Sequence, residues 1–353
     1  MTLSFLSFIA IVQAMLLSTS ALSVRTADNA CIVSQMSDLS NCLSSTNIII
    51  NNLAVPGGQT LDLTKLHSGT TLSFEGIITF GHWNWAGPLV SVKGDSLTIC
   101  GTGILDGQGA LYWDGKGGNG GVTKPKFFKT SVTNSIVRDI TLLNTPVQAF
   151  SVQATNTQFI NVTVNNAAGM SLAHNTDGID INKSSWVSII NSTVISQDDC
   201  VVVGSGSYIT VTNMHCMGAT HGLSVRGQSD PISNIVFQDS ILENASIGAR
   251  LKTVSGGSTT VSDVTWRNIF MTGITKYAID IQQDYLNGGP TGKPTNGVKV
   301  SGITFSNIGG DLSSSCTPIY ILCGQGSCSG ITLAGTSFHG GKSNSCNIAV
   351  SGC

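Results

Sequence analysis

From about Asn134 the chain repeats one small pattern, an Asn, Asp or Gly followed by a short β-forming run. It recurs at Asp139 (Ile-Thr-Leu), Asn161 (Val-Thr-Val), Asn191 (Ser-Thr-Val), Asn213 (Met-His-Cys), Asp239 (Ser-Ile-Leu), Asn268 (Ile-Phe-Met) and Gly302 (Ile-Thr-Phe). The spacings are 22, 30, 22, 26, 29 and 34 residues. An irregular period of this size implies a solenoid whose coils keep their strands and vary their loops. The runs are short, β-branched and bounded by turn residues, which favours a parallel β-helix over helical repeats. A leucine-rich repeat would need a stricter Leu and Asn pattern at a shorter period. Residues 24–353 therefore read as one all-β domain, uninterrupted by a charged, Pro-rich or low-complexity linker. The stretch to about Thr70 is expected to cap one end and the Cys-rich tail the other.

Composition agrees with many short strands and narrows the compartment. Glycine contributes 41 of 353 residues, aromatics only 6%, and Leu, Glu, Lys and Ala are too few for long helices. Charged residues make up 10% and the net charge is −2, so no basic surface points to nucleic acid. Residues 1–23 read as a secretory signal: an apolar run from Phe5 to Leu17, too short to span a bilayer, then the small residues Ala21-Leu22-Ser23. No later segment has the length of a membrane helix. Ten cysteines suit an oxidising compartment. Close spacing pairs Cys31 with Cys42, Cys200 with Cys216, Cys323 with Cys328 and Cys346 with Cys353, leaving Cys100 and Cys316 as free thiols or a fifth bridge. Zinc is disfavoured, because none of these pairs is spaced CxxC and no HxxxH stands nearby. Sequons at Asn161, Asn182, Asn191 and Asn244 also fit secretion.

In a solenoid, residues one coil apart become neighbours, so reactive residues that recur at the coil period can line one groove. Asp198 and Asp199 follow Asp177 by 21 and 22 residues, and His221 lies 22 beyond Asp199. Arg250 and Lys252 come 29 and 31 residues after His221, and Tyr285 comes 33 after Lys252. Glycoside hydrolysis would use such a set. One carboxyl protonates the leaving oxygen while a carboxylate activates water on the other side. Adjacent carboxylates repel, so at least one should hold a proton. His221 could tune that proton, the basic pair could bind an acidic sugar, and Tyr285 could stack on a ring. Each motif also has a structural reading: Asn-Thr-Asp-Gly as a turn, Asp-Asp as a loop cap, His-Gly and Tyr as packing, Arg and Lys as solvated surface. Grouped acids could instead hold Ca²⁺, but the basic residues that follow argue against a cation site.

The motifs together resemble a polygalacturonase of glycoside hydrolase family 28. They stand as Asn175-Thr176-Asp177-Gly178-Ile179-Asp180, Gln197-Asp198-Asp199-Cys200, His221-Gly222-Leu223-Ser224, Arg250-Leu251-Lys252 and Gln282-Gln283-Asp284-Tyr285. Similarity extends upstream through Val55–Asp62, Trp113–Gly117 and Thr123–Phe128, so it spans nearly the whole chain after residue 23. The resemblance implies a right-handed parallel β-helix that hydrolyses α-1,4-galacturonosyl linkages of pectin with inversion and without a cofactor or metal. It makes Asp198 the general acid, has Asp177 and Asp199 activate water, and lets His221 assist the acid. It assigns Arg250 and Lys252 to the substrate carboxylate and Tyr285 to the adjacent subsite. The partner would be polygalacturonate or pectin, with polygalacturonase-inhibiting proteins as further partners, no nucleic acid or membrane, and a monomeric chain. The pattern departs from the family at Ala219-Thr220, where glycines are usual, and at Arg226, which stands beside the groove where a small residue is usual. Competing expectations are an exo-acting or rhamnogalacturonan-cleaving relative, a pectate lyase with calcium and an Arg base, and an inactive homologue that binds oligogalacturonides.

Overall fold

The computed structural model describes residues 30–287 and 289–353, so the signal-sequence expectation for residues 1–23 lies outside the described residues. The described residues wind as a parallel β-helix in which 29 strands join one continuous sheet. One coil shows the plan. Ile179–Ile181 forms the first face, and the longer strand Ser184–Ile195 bends around two further faces. The bends fall at Trp186 and Asn191, whose φ angles are positive at 57° and 50°. Only Gly, Asn and Asp adopt that left-handed backbone readily, which is why Asn and Asp mark the repeat.

Stacked coils place like corners side by side and let their amides bond in a ladder. Asn161 donates to Asp139 (2.8 Å), Asn213 to Asn191 (2.9 Å), Asn268 to Asp239 (2.8 Å) and Asn307 to Asn268 (2.9 Å). The last bond corrects the expected repeat: the corner that follows Asn268 is Asn307, not Gly302. Gly302 instead continues the other corner, level with Asp263. Both corners combine a left-handed residue with a β-branched run, so Gly302-Ile-Thr-Phe imitates the wrong one.

Inside, the first face stacks Val152, Ile181, Val203, Val225, Leu251, Ile281 and Ile321 in register. All are buried, and each Ile or Val removed from water contributes ~1.5–3 kcal/mol. Further along, Phe237, Trp266 and Phe305 stack at 5.3 and 4.8 Å, and the Trp266 indole donates to the Leu223 carbonyl at 3.0 Å. The stretch before Thr70 belongs to the sheet itself: Cys31–Val33 pairs with Asn47–Asn51, which pairs with Thr71–Glu75. A one-turn helix, Leu39–Cys42, closes that first coil, tied by the Cys31–Cys42 disulfide. At the other end Phe338, Ile348 and Val350 pack on the core, with Cys346 bridged to Cys353. The Cys200–Cys216 and Cys323–Cys328 bridges form as expected, and Cys100 and Cys316 are buried free thiols rather than a fifth bridge. No helix among the described residues is long and apolar enough to cross a membrane.

Candidate active site

Register on the first face decides which side chains meet. Its outward row runs Asp180, Val202, Ser224, Arg250, Asp280 and Tyr320 on successive strands. Two residues further along, Arg226, Lys252 and Gln282 form a second row. The turns entering these strands carry the other acids. They are stitched by backbone bonds from Gly178 N–H to the Asp199 carbonyl (2.9 Å) and from His221 N–H to the Asp198 carbonyl (3.0 Å). Gly222 has φ 64°, and a Cβ there would collide with the Gly248 carbonyl oxygen, so His-Gly is required for close approach of coils. Thr220, where a glycine is usual, is fully buried and its hydroxyl accepts the Gly222 N–H at 3.1 Å. The departure thus leaves the turn intact.

Asp177, Asp198 and Asp199 therefore arrive from two adjacent coils into one cleft of about 680 Å³, lined also by Asp180, Lys124, Lys126, Arg226, Lys252 and Tyr285. Asp198 accepts from the Asn175 amide (2.9 Å) and the Asp199 N–H (2.8 Å), and faces His221 Nδ1 at 2.9 Å. Asp199 is buried, accepts from the Ser224 hydroxyl (2.7 Å) and from Lys252 Nζ (2.7 Å). Asp177 is open to the cleft on one side, but its Oδ1 is buried without a hydrogen-bond partner. Asp180 Oδ1 is likewise unpartnered. The Cys200–Cys216 bridge starts at the residue after Asp199 and anchors the acid pair to the next coil.

These environments separate the acids. Burial, then the negative charges of Asp198, Asp180 and Asp199, hold the Asp177 carboxyl well above the usual carboxylate range. Burial and the Asp199 charge push Asp180 up to about 7. Burial also opposes ionisation of Asp198, but the His221 bond and charge, Lys252 and the Asp199 N–H outweigh it and hold it below the usual range. The carboxyls are coupled and are pushed in opposite directions, the neutral form favoured at Asp177 and Asp180 and the ionised form at Asp198.

The two basic residues of the Arg-Leu-Lys motif sit at different depths. Lys252 lies in the cleft, already paired with Asp199, and its Nζ is 5.0 Å from the centre of the Tyr285 ring. Arg250 is buried beside Tyr285, with Nε 3.2 Å from Asp280 and Nη1 4.0 Å from Asp199, and does not line the cleft. Lys126 and Arg226 are exposed on its rim, and neither pairs with an acid among the described residues. Sequence reasoning quoted Lys126 and Asp180 inside motifs without giving them work. The alternation of Asp180 with Ile179 and Ile181, which both point inward on the same strand, would have flagged it. Asp198, Asp199 and His221 bring ligand-type atoms within 4.8 Å of one another, but Lys252 already supplies the positive charge at Asp199. Among the sequons, Asn161, Asn191 and Asn244 are exposed away from the cleft, whereas Asn182 lines it, where a glycan would fill the groove.

Residues 45–353 match the family model described as Glycosyl hydrolases family 28. The polygalacturonase of Cochliobolus carbonum is 48% identical over 324 residues, 89% of each chain. Endopolygalacturonase B of Aspergillus oryzae is 44% identical over 343 residues, 95% of this chain and 94% of its own. Endopolygalacturonase I from Stereum purpureum, solved in complex with two galacturonates, superposes with a TM-score of 0.84 at 31% identity, covering 91% of this chain and 98% of its own. The fold, the order of the motifs and these matches agree, and the chain belongs to glycoside hydrolase family 28.

Proposed function

We propose that this chain is an endo-acting polygalacturonase, hydrolysing internal α-1,4-galacturonosyl linkages of homogalacturonan with inversion of configuration. The observation that carries the reading is the convergence of Asp177, Asp198 and Asp199 in a cleft whose walls carry Lys126, Arg226 and Lys252. A polyanionic sugar chain is drawn to such a cleft, and three carboxyls at its floor match the acid and base that glycoside hydrolysis needs.

In this reading Asp198 and His221 act as one proton-donating pair. Entry of substrate and loss of water move the cluster's proton onto Asp198, which then protonates the leaving oxygen. Asp177, relieved of that proton, works with Asp199 on the attacking water. Lys252 keeps Asp199 ionised and reaches the substrate carboxylate from the same position. Arg250 orients Asp199 and Tyr285 from behind rather than meeting the sugar first. Lys126 and Arg226 take carboxylates further along the chain. The reading places the protein outside the cell as a monomer, with its signal removed and Asn182 unglycosylated; an inhibitor protein would act by covering the cleft.

Product analysis on polygalacturonic acid tests all of this at once. Early release of mixed oligomers with fast viscosity loss is the endo outcome, and the anomer first formed reads inversion. Products that absorb in the ultraviolet and vanish with a chelator would make the protein a lyase instead.

A further inference from the structure

One corner of the helix carries residues that its backbone does not favour. Along the ladder that runs Asn134, Asn156, Trp186, Tyr208, Asn234, Asp263 and Gly302, every residue has a positive φ. The strands flanking Asn156, Trp186, Tyr208, Asn234, Asp263 and Gly302 are in continuous register. Asn and Asp tolerate this conformation and glycine enters it freely, but a bulky aromatic is a true outlier there. Burial does not offset the strain, since Trp186 is 61% exposed and Tyr208 47% exposed. Strain held on exposed side chains points to use.

The two rings stack on each other at 4.2 Å between centroids and 5° between planes. Each therefore keeps one outer face, above Asn156 on one side and Asn234 on the other, where the shorter side chains leave room. Beside them the next outward row reads Gln158, Ser188, Thr210, Val236, Thr265 and Thr304. Rows and rings line one trough of about 790 Å³ that shares no residue with the catalytic cleft. At ~4.8 Å per strand, six rows make a floor roughly 24 Å long. Among the described residues its lining contains no Lys, Arg or His, and its one charged side chain is Asp263. A polyanion would find only repulsion there. An uncharged pyranose chain would pack the C–H face of a sugar on each ring and its hydroxyls on the Ser, Thr and Asn side chains.

We propose that this face is a second carbohydrate-binding surface, anchored on Trp186 and Tyr208, that takes an uncharged pyranose polysaccharide. It would hold the enzyme on neutral polymers of a composite wall while the cleft works on the acidic one. The surface is independent of the hydrolase reading.

The test compares the full chain with the double variant Trp186→Asn, Tyr208→Asn, which restores the residue its own neighbouring corners use and so folds. Depletion onto insoluble cellulose and retardation in gels containing xylan measure binding. Reducing-end release from soluble polygalacturonate measures the cleft. The unchanged chain should bind at least one neutral polymer, the variant's affinity should fall about tenfold or more, and both should release reducing ends at the same rate. Absence of neutral-polymer binding by the unchanged chain, or equal binding by the variant, overturns the proposal. So does a dimer in sedimentation that the variant abolishes, which would assign the face to a second copy of this chain. Lack of reducing-end release with binding intact would sink only the hydrolase reading.

Discussion

Replacing Asp180 by Asn is expected to stabilise the protein, and increasingly so as pH rises. The Asp180 side chain faces the cleft floor, its Oδ1 has no hydrogen-bond partner, and burial with the Asp199 charge lifts its pKa from 3.8 to about 7. Below about pH 4 the group is protonated in both folded and unfolded chains. Between about 4 and 7 the folded chain holds a proton that the unfolded chain has lost, so stability falls as pH rises through this window. At 1.36 kcal/mol per pK unit, a shift from 3.8 to about 7 amounts to on the order of 4 kcal/mol. Asn mimics the neutral carboxyl and removes that slope. It also relieves Asp177, whose own rise owes something to Asp180, in the same direction. For a folded chain of about 320 residues the unfolding entropy is ~0.7 kcal/mol/K, so the variant's Tm advantage should grow by about 6 °C from pH 4 to pH 8. Differential scanning calorimetry across that range measures it. Parallel Tm curves for the two proteins would refute the argument that Asp180 is a carboxyl held neutral by its surroundings.

Asp198→Asn should lower kcat by ~10²–10⁴ with KM within a few-fold, because it removes a proton donor rather than a substrate contact; a large rise in KM at unchanged kcat would contradict the role. Lys252→Ala leaves the buried Asp199 with only the more distant Arg250 for a cation, and should lower stability by up to about 3–5 kcal/mol as well as raise KM on polygalacturonate. That KM effect should shrink on methyl-esterified pectin, and urea denaturation beside kinetics on both substrates separates the two consequences. Arg226→Ser removes an exposed cation from the rim, so Tm should stay within a degree or so while the length distribution of oligogalacturonide products shifts. An unchanged product ladder would leave Arg226 without a subsite.

Much of this architecture is legible in the sequence. The corner pattern is local chemistry: a left-handed residue followed by a β-branched run can be recognised one coil at a time, and its period announces a solenoid. The cysteine pairs were legible for the same reason, since each closes a short loop. The end of the repeat was not, because Gly302 and Asn307 satisfy the same backbone demand and only pairing with Asp263 and Asn268 tells their corners apart. That the stretch before Thr70 is itself built of coil strands was not legible either: the strands are brief, and their partners lie in other coils.

The acids illustrate the same division. By itself the sequence determined that Asp177, Asp198, Asp199 and His221 recur at the coil period, and hence that they could share a groove. Only the tertiary structure decided their electrostatics and company: His221 favouring the ionised form of Asp198, burial favouring the neutral forms of Asp177 and Asp180, Lys252 bound to Asp199, and Arg250 turned away toward Asp280. Register follows from local spacing, whereas burial and the sum of neighbouring charges depend on every coil that packs nearby.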